Sequence, residues 1–490
     1  MYKIHIPSLP TLNTFEDFCS QSGCKLDPNN ELVKLRDYIP WREYEGEYAK
    51  NFSSCTRGKG AKSLQIVLGS LVLQTRMNIP DRQFVKALSE NPYWQYFIGM
   101  KKFETKAPFC SSSLTHFRKR IPIELLLSIN EKLLERLEKD QIKLSEKSKK
   151  SVKELELSQN GENSGTEILD ATCAPSYIAY PKDTSLLNLC RIKLEKIIDY
   201  LHGLSKQDKK PRTYRKVIHK DYLSFAKKKN PTGKQIKHME RILINCVKRN
   251  LGYVEDMLSA GLVLTGKQTK LYETIKQIYA QQKEMYDNNT HRVENRIVSL
   301  EQPYVRPIVR GKSKAPTEFG SKFDVSIDEN GYARIEKISF DPYNESQVLE
   351  HAVERYKERC GYYPKRILVD QIYRNRKNIE YCKERGIRIS GPRLGRPKNK
   401  DENENKSLKK IAIQDKKDRL EIERYFSKAK RCSGMGLIKA KLSETTLTKI
   451  ALSVFVCNLF AVPYGTFFVF YFFDTDIVVK NPIFVAEFYD

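Results

Sequence analysis

The sequence predicts an α/β domain with a helical insertion after its first strand, preceded by an all-α N-terminal domain. Three observations predict this. Residues 62–139 repeat apolar side chains at helical spacing, as in "KSLQIVLGSLVLQTRMNI". From 167 to 431, short apolar runs ending in aspartate, "EILD" and "KRILVD", alternate with amphipathic helical stretches. Between the first of those runs and the rest lies a long, very basic helical block at roughly 185–300. A chain of 490 residues with 40 % hydrophobic content has room for two or three domains with real cores.

Taken in order, residues 1–55 are mixed, with turn signals at Pro7, Pro10, Pro28 and Pro40. Pro80-Asp81 makes a good first turn for the helix "PDRQFVKALSENPYWQYFIGM". Ser113 caps the next helix, which carries Arg118, Lys119 and Arg120. The N-terminal helical domain is placed at 1–139, and the polar stretch 140–166 reads as a linker. A domain at 167–435 follows, with a C-terminal helix and aromatic segment at 436–490 packed on it.

Inside that third segment, "EILDATCAPSYIAYP" is a short strand carrying Asp170. The core of the basic block, 206–241, holds 13 Lys or Arg against three acidic residues, with Tyr214, Tyr222 and Phe225 interleaved. Such a stretch, including Arg215 and Lys216, suits a run of phosphates; the competing reading is a solvated helical surface over core aromatics. "EFGSKFDVSIDENGYARIEKISFD" alternates and turns at Glu329-Asn330-Gly331, a β-hairpin. A helix closed by Gly361 leads to the buried strand "KRILVDQIY" with Asp370. Another helix, the strand "IRIS", a Gly/Pro loop and a helix over about 414–431 complete the order.

The formal net charge of +27 and pI of about 9.4 call for a polyanionic partner, nucleic acid by default, with a membrane surface as the competitor. Eleven cysteines show no C-x-x-C spacing and the seven histidines no H-x3–5-H element, which argues against zinc. Their odd number, and a start without a long apolar run, favour reduced thiols in a cytoplasm. Residues 450–473 carry no charge and are long enough to span a bilayer. Pro463 and Gly465 interrupt them, so the expectation is a buried helix followed by an aromatic strand or loop, with no membrane partner.

Asp170 and Asp370 each end an apolar strand, and Glu423 lies on the last helix of the domain. Carboxylates in such places are costly unless they meet a cation. Converging acids repel one another, and a divalent metal with hard-oxygen preference relieves that repulsion. Two such ions roughly 3.5–4 Å apart suit phosphoryl transfer, which needs no Cys, His or Ser nucleophile. Glu421 and Glu423 point about 200° apart on a helix, so only one of them can face such a site.

At this point the residues resemble a known group, the DDE transposases of bacterial insertion sequences. That group carries a Tyr, two residues, Arg, three residues, Glu, six residues, Lys signature. Arg419, Glu423 and Lys430 fall on this spacing, while the Tyr position is Lys416, a departure. "ILDATCAPSYIAYPKDTSLLN", "GKSKAPTEFGSKFDVSIDENGYARIEKISFDPYNE" and "ILVDQIYRNRKNIEYCKERGIRISGPRLGRP" are similar to the group's first-Asp, second-and-third-strand and second-Asp regions. "IPDRQFVKALSENPYWQYFIGM" and "SLTHFRKRI" resemble its N-terminal helices, so the likeness covers most of 60–460.

The resemblance implies a ribonuclease-H-like catalytic domain in which Asp170, Asp370 and Glu423 bind two Mg²⁺, with Mn²⁺ as a substitute. It selects Glu423 over Glu421. It implies cleavage of double-stranded DNA at transposon ends and transfer of the freed 3′-OH into target DNA, by a homodimer or larger assembly in the bacterial cytoplasm, on the nucleoid. Arg419 and Lys430 would grip phosphates; Arg393, Arg396, Lys398, Lys322, Arg118, Lys119, Arg215 and Lys216 are further backbone-contact candidates. Thr172 and Tyr373 lie near the two aspartates, where packing competes with a role in the site. A nuclease of the same fold without strand transfer, and an inactive DNA-binding derivative, use the same residues and stay open.

Overall fold

A computed structural model describes residues 14–52, 60–147, 163–205, 209–309, 317–392 and 402–461. The N-terminal region is helical: α1 Phe15–Ser22, α2 Glu31–Leu35, α3 Glu45–Ala49, α4 Leu64–Met77, α5 Asp81–Glu90, α6 Pro92–Phe97, α7 Ser113–Arg120 and α8 Ile123–Lys147. Ser63 caps α4 by accepting from the Ile66 amide, and almost every side of α4 is apolar and buried. A helix apolar on all sides belongs in the middle of a core. Around it pack Trp41, Phe84, Trp94 and Phe97, with Phe84 stacked on Trp94 at 5.5 Å. The stretch expected to begin a linker at 140 continues α8 as far as Lys147, because "DQIKLSEK" is rich in helix formers.

The six strands are β1 Thr166–Pro175, β2 Arg306–Val309, β3 Thr317–Ile327, β4 Ala333–Ser339, β5 Arg366–Val369 and β6 Arg388–Ile389. They form one sheet in the order β2-β3-β1-β5-β6, with β4 pairing farther along β3. β3 runs antiparallel to β1, β2 and β4, whereas β5 and β6 run parallel to β1. The hairpin turn falls where the sequence places it: Gly331 adopts φ +80° and its amide donates to the Asp328 carbonyl. Gly320 is required for another reason: a Cβ there would lie 2.1 Å from the Ala174 carbonyl oxygen.

Between β1 and β2 the chain makes four helices, α9 Asp183–Leu204, α10 Arg215–Ala226, α11 Gly233–Ser259 and α12 Gly266–Asp287. Thr232 and Thr265 start α11 and α12 with capping boxes closed by Gln235 and Gln268. These helices bury their own apolar cluster, including Leu187, Leu194, Ile198, Leu243, Val247 and Ile275, separate from the core under the sheet. Arg296 donates to Asp183 at 2.7 Å and closes the start of the insertion on its end.

After the hairpin come α13 Leu349–Cys360, α14 Arg376–Glu384, α15 Glu402–Cys432 and α16 Ser443–Leu459. The two faces of the sheet are covered differently. Ile168, Phe323, Val325 and Ile327 join the core that contains α15, α16 and the N-terminal helices. Leu169, Ile367 and Val369 join a smaller core with Val353, Tyr373 and Tyr381. α16 is buried along nearly its whole length, as expected for "LTKIALSVFVCNLF". Asn458 on it donates to Asn130 of α8 at 2.9 Å and to the Ala333 carbonyl of β4 at 2.8 Å, tying N-terminal helices and sheet into one core. Among the described residues no helix is long and apolar enough to cross a membrane; the aromatic run 464–473 lies outside them.

Candidate active site

β1 is the pivot of the sheet, hydrogen-bonded to β3 on one side and β5 on the other. Leu169 pairs with Val369, so the next residues, Asp170 inside β1 and Asp370 just past the end of β5, lie side by side; the expectation that Asp170 ends its strand is not met, because β1 runs on to Pro175 against β3. Asp370 caps a short 3-10 turn, Gln371–Tyr373, and its carboxylate accepts from the Gln371 amide at 2.7 Å. Asp170 accepts from the Ala171 amide at 2.8 Å.

α15 crosses the same end of the sheet. Ile422, Phe426 and Ala429 anchor it in the core, which turns Arg419 and Glu423 toward the aspartates. Arg419 is the link: one guanidinium nitrogen lies 3.4 Å from an Asp170 oxygen and the other 3.3 Å from a Glu423 oxygen. Glu421 points elsewhere and pairs with Arg424. Lys430 follows Glu423 by two helical turns, about 10 Å along the axis.

Burial pushes the Asp170 carboxyl up to about 6; the charges of Asp370 and Glu345 add to the rise, and the Ala171 amide and Arg419 oppose it. Asp370 is exposed and has no cationic partner among the described residues. No group of three or more His, Cys, Asp or Glu side chains among the described residues stands close enough, as placed, to hold one ion. What holds Asp170 and Glu423 to a common point is a guanidinium, not shared ligation. The donor set still suits a hard divalent ion: all oxygen, crowded with like charge, and open to solvent at Asp370 and Glu423. Arg419 occupies the oxygens of Asp170 and Glu423 that such an ion would compete for.

Several basic candidates are already occupied. Arg118 makes a two-point ion pair with Asp81, at 2.9 and 2.5 Å. Arg215 does the same with Asp199, at 2.9 and 2.7 Å. Lys322 is buried, 2.7 Å from Glu345 and 3.0 Å from the Tyr343 carbonyl oxygen. As they stand, these three serve internal pairs rather than an outside phosphate. Lys119 and Lys216 are exposed. Arg393, Arg396 and Lys398 lie outside the described residues. Thr172 is buried in β1, and Tyr373 takes the packing role, fully buried.

Sequence reasoning missed Asp324, Tyr343 and Glu345. Asp324 is fully buried on β3, one register step from Asp170, and burial pushes its carboxyl up to about 6. It accepts from the Tyr373 hydroxyl at 2.5 Å and from the Tyr343 hydroxyl. One signal was available: Lys322, Asp324 and Ser326 alternate with Phe323, Val325 and Ile327, a polar face on a strand too apolar to lie at a surface.

Comparison with known proteins bears on this arrangement. The family model described as "Transposase DDE domain" matches residues 367–460, from β5 through α16, a span that contains Asp370, Arg419, Glu423 and Lys430. A second model, "Transposase domain (DUF772)", matches residues 21–120, the N-terminal helices. One segment of the chain is thus similar to the DDE domain of transposases and another to a second transposase domain. A similar sequence is "Uncharacterized protein ORF8 in nfe locus" of Rhizobium meliloti, 30 % identical over 115 residues, or 24 % of this chain. The chain spans 55 % of the length of that curated relative. No solved structure matches. Asp170 and the helical insertion of this chain lie outside both matched segments.

Proposed function

We propose that this chain cuts DNA at the ends of a mobile element and joins the freed 3′-OH to target DNA, with Asp170, Asp370 and Glu423 as the catalytic carboxylates. One observation carries the reading: Leu169 pairs with Val369, which sets the two aspartates side by side, and Arg419 draws Glu423 to the same place. The proposed catalytic domain is ribonuclease-H-like. Its support is the run β4-β3-β1-β5-β6, antiparallel through β1 and parallel beyond it. The segment 167–435 is its extent in this proposal, with 1–139 as an end-binding helical domain.

Two Mg²⁺, or Mn²⁺ in their place, would activate the attacking oxygen and stabilise the leaving one. The chain's own part is to present the carboxylates and to place phosphate-binding cations around them. Arg419, freed from Asp170, is set to donate to a phosphate oxygen, and Lys430 lies farther along the same helix face. Double-stranded DNA is the proposed partner, along Lys119 and the exposed lysines of the insertion, among them Lys216, Lys220, Lys227, Lys228 and Lys229. Arg393, Arg396 and Lys398 belong to the proposal on charge alone. Handling two DNA ends calls for a dimer or more, and a DNA substrate places the protein in the cytoplasm on the nucleoid.

The test is a two-part assay with the full chain and DNA carrying the gene's own flanks. Wild type nicks at the ends in Mg²⁺ or Mn²⁺, and a pre-cut end is joined to a target plasmid. Asp370→Ala loses about a thousandfold in both steps, ~4 kcal/mol of transition-state stabilisation, yet still binds DNA. Cleavage without joining would reduce the function to that of a nuclease, and binding without either step would overturn the enzymatic reading.

A further inference from the structure

We propose that Asp324 is a positioning residue for the active site: its buried carboxylate clamps, through two tyrosines, the two turns that flank the catalytic aspartates. The inference rests on the proposed function of that site. The sheet has two faces, and Asp324 works from the face away from α15. Phe323 and Val325 enter the core containing α15, whereas Asp324, between them, meets Tyr373 and Tyr343.

Tyr373 ends the 3-10 turn that Asp370 begins, and its amide donates to the Asp370 carbonyl at 3.1 Å. A fixed Tyr373 ring therefore fixes the backbone from which the Asp370 carboxylate projects. Tyr343 lies in the loop after β4, two residues before Glu345, whose charge reaches Asp170. Asn378 joins the same two turns, donating to the Tyr373 and Ser346 carbonyls, both at 2.8 Å. Lys322 holds Glu345 at 2.7 Å from the strand position two residues before Asp324.

A fully buried carboxylate is a poor way to fill a core, because a well-packed apolar residue costs less to bury. It does something an apolar residue cannot: it accepts hydrogen bonds from two separate turns and fixes both. Supports of this kind behind a metal-binding carboxylate set its direction, and losing one lowers metal affinity or rate by about tenfold or more.

The test compares wild type with Tyr373→Phe, which keeps the ring and removes only the hydroxyl, and with Asp324→Asn. Ile335→Val in β4 serves as a destabilised control away from the turns. Mn²⁺ binding is measured by titration calorimetry without DNA, and nicking is measured across Mn²⁺ concentrations. The expected result is DNA affinity within about twofold of wild type, nicking down about tenfold, and Mn²⁺ affinity weakened about fivefold in both variants. Ile335→Val lowers the melting temperature and leaves the Mn²⁺ curve in place. Should Asp324→Asn fail to fold, Tyr373→Phe decides alone. Wild-type Mn²⁺ affinity and rate in Tyr373→Phe overturn the positioning role and leave the proposed function standing. A wild-type chain that neither binds Mn²⁺ nor nicks overturns the site and this inference together.

Discussion

Strand β1 carries two acidic groupings only three residues apart, and they are solved in opposite ways. Around Glu167, the cations sit in the middle. Arg334 is buried among Asp328, Glu131 and Glu138, while Arg355 and Arg359 reach Glu336 at 3.0 and 3.6 Å. This grouping joins α8, β4 and α13 and is closed to solvent around Arg334 and Glu336. Around Asp170, Arg419 bridges to Glu423, while Asp370 and Glu423 stay open to water. In the first arrangement Arg334, Arg355 and Arg359 are already engaged by carboxylates of the chain itself. The second leaves negative charge facing outward at a strand end, where an added cation has somewhere to go.

The sharpest break between the two comes from removing the central charge of each. Asp170→Asn is expected to abolish Mn²⁺ binding and nicking, a loss of about a thousandfold in rate. The same change is expected to raise stability by about 1 kcal/mol, because a buried carboxyl raised to about 6 costs the folded state when ionised. Melting curves with and without Mn²⁺ check both halves: the variant starts higher, and the metal no longer shifts it. A variant that melts lower and still responds to Mn²⁺ puts the metal elsewhere.

Arg334→Met tests the other grouping. It leaves Asp328, Glu131 and Glu138 without their shared partner, and removing one member of a buried ion network costs about 3–5 kcal/mol. Chemical denaturation measures that loss. The fraction that remains folded keeps its wild-type Mn²⁺ affinity, since Arg334 touches nothing at the aspartate end.

Why one grouping was legible in sequence and the other was not follows from chain distance. Asp370 declares itself because it follows an apolar run at the end of β5; Asp170 interrupts an apolar run but lies inside β1, and Glu423 is picked out by the resemblance through its spaced Arg and Lys. The hairpin and helical insertion were readable from local signals, an Asn-Gly turn and a change in period. The internal ion pairs of Arg118, Arg215 and Lys322 were not legible, for the opposite reason. A cation in a sequence shows its charge and hides its partner, and Asp81, Asp199 and Glu345 lie 37, 16 and 23 positions away. The Asp324 clamp was hidden likewise, since its two tyrosines come from turns 19 and 49 residues along the chain.

Glu167 adds a pH-dependent version of the comparison. It is fully buried, its carboxylate oxygens accept no hydrogen bond, and Arg359 comes no closer than 3.7 Å. Burial, then the charge of Glu336, holds its carboxyl well above the ordinary glutamate range. Its proton is therefore bound more tightly in the folded chain than in the unfolded one. The stability this gives is fully present below the unfolded pKa, near 4.5, and is lost as pH rises through the folded value. Glu167→Gln should match wild type at pH 4 and exceed it by about 1–2 kcal/mol at pH 8. An advantage that is the same at both pH values would mean that packing, not charge, explains the difference.

The smallest expected effect concerns Arg419, placed between Asp170 and Glu423 at the open end. It competes with any ion for Asp170 and Glu423, through contacts of 3.4 and 3.3 Å that are partly exposed. Pairs of that exposure contribute about 0.2–1 kcal/mol, so freeing the carboxylates changes ion affinity by only a few fold. Arg419→Gln should bind Mn²⁺ about threefold more tightly at pH 8, in the absence of DNA. With DNA present the sign reverses for the reaction: nicking falls, because the phosphate loses a donor that the glutamine amide replaces without charge. Tighter ion binding with slower cleavage is the combination that assigns Arg419 to both partners in turn. A parallel loss of both would make it a structural brace between β1 and α15, closer in kind to Arg334.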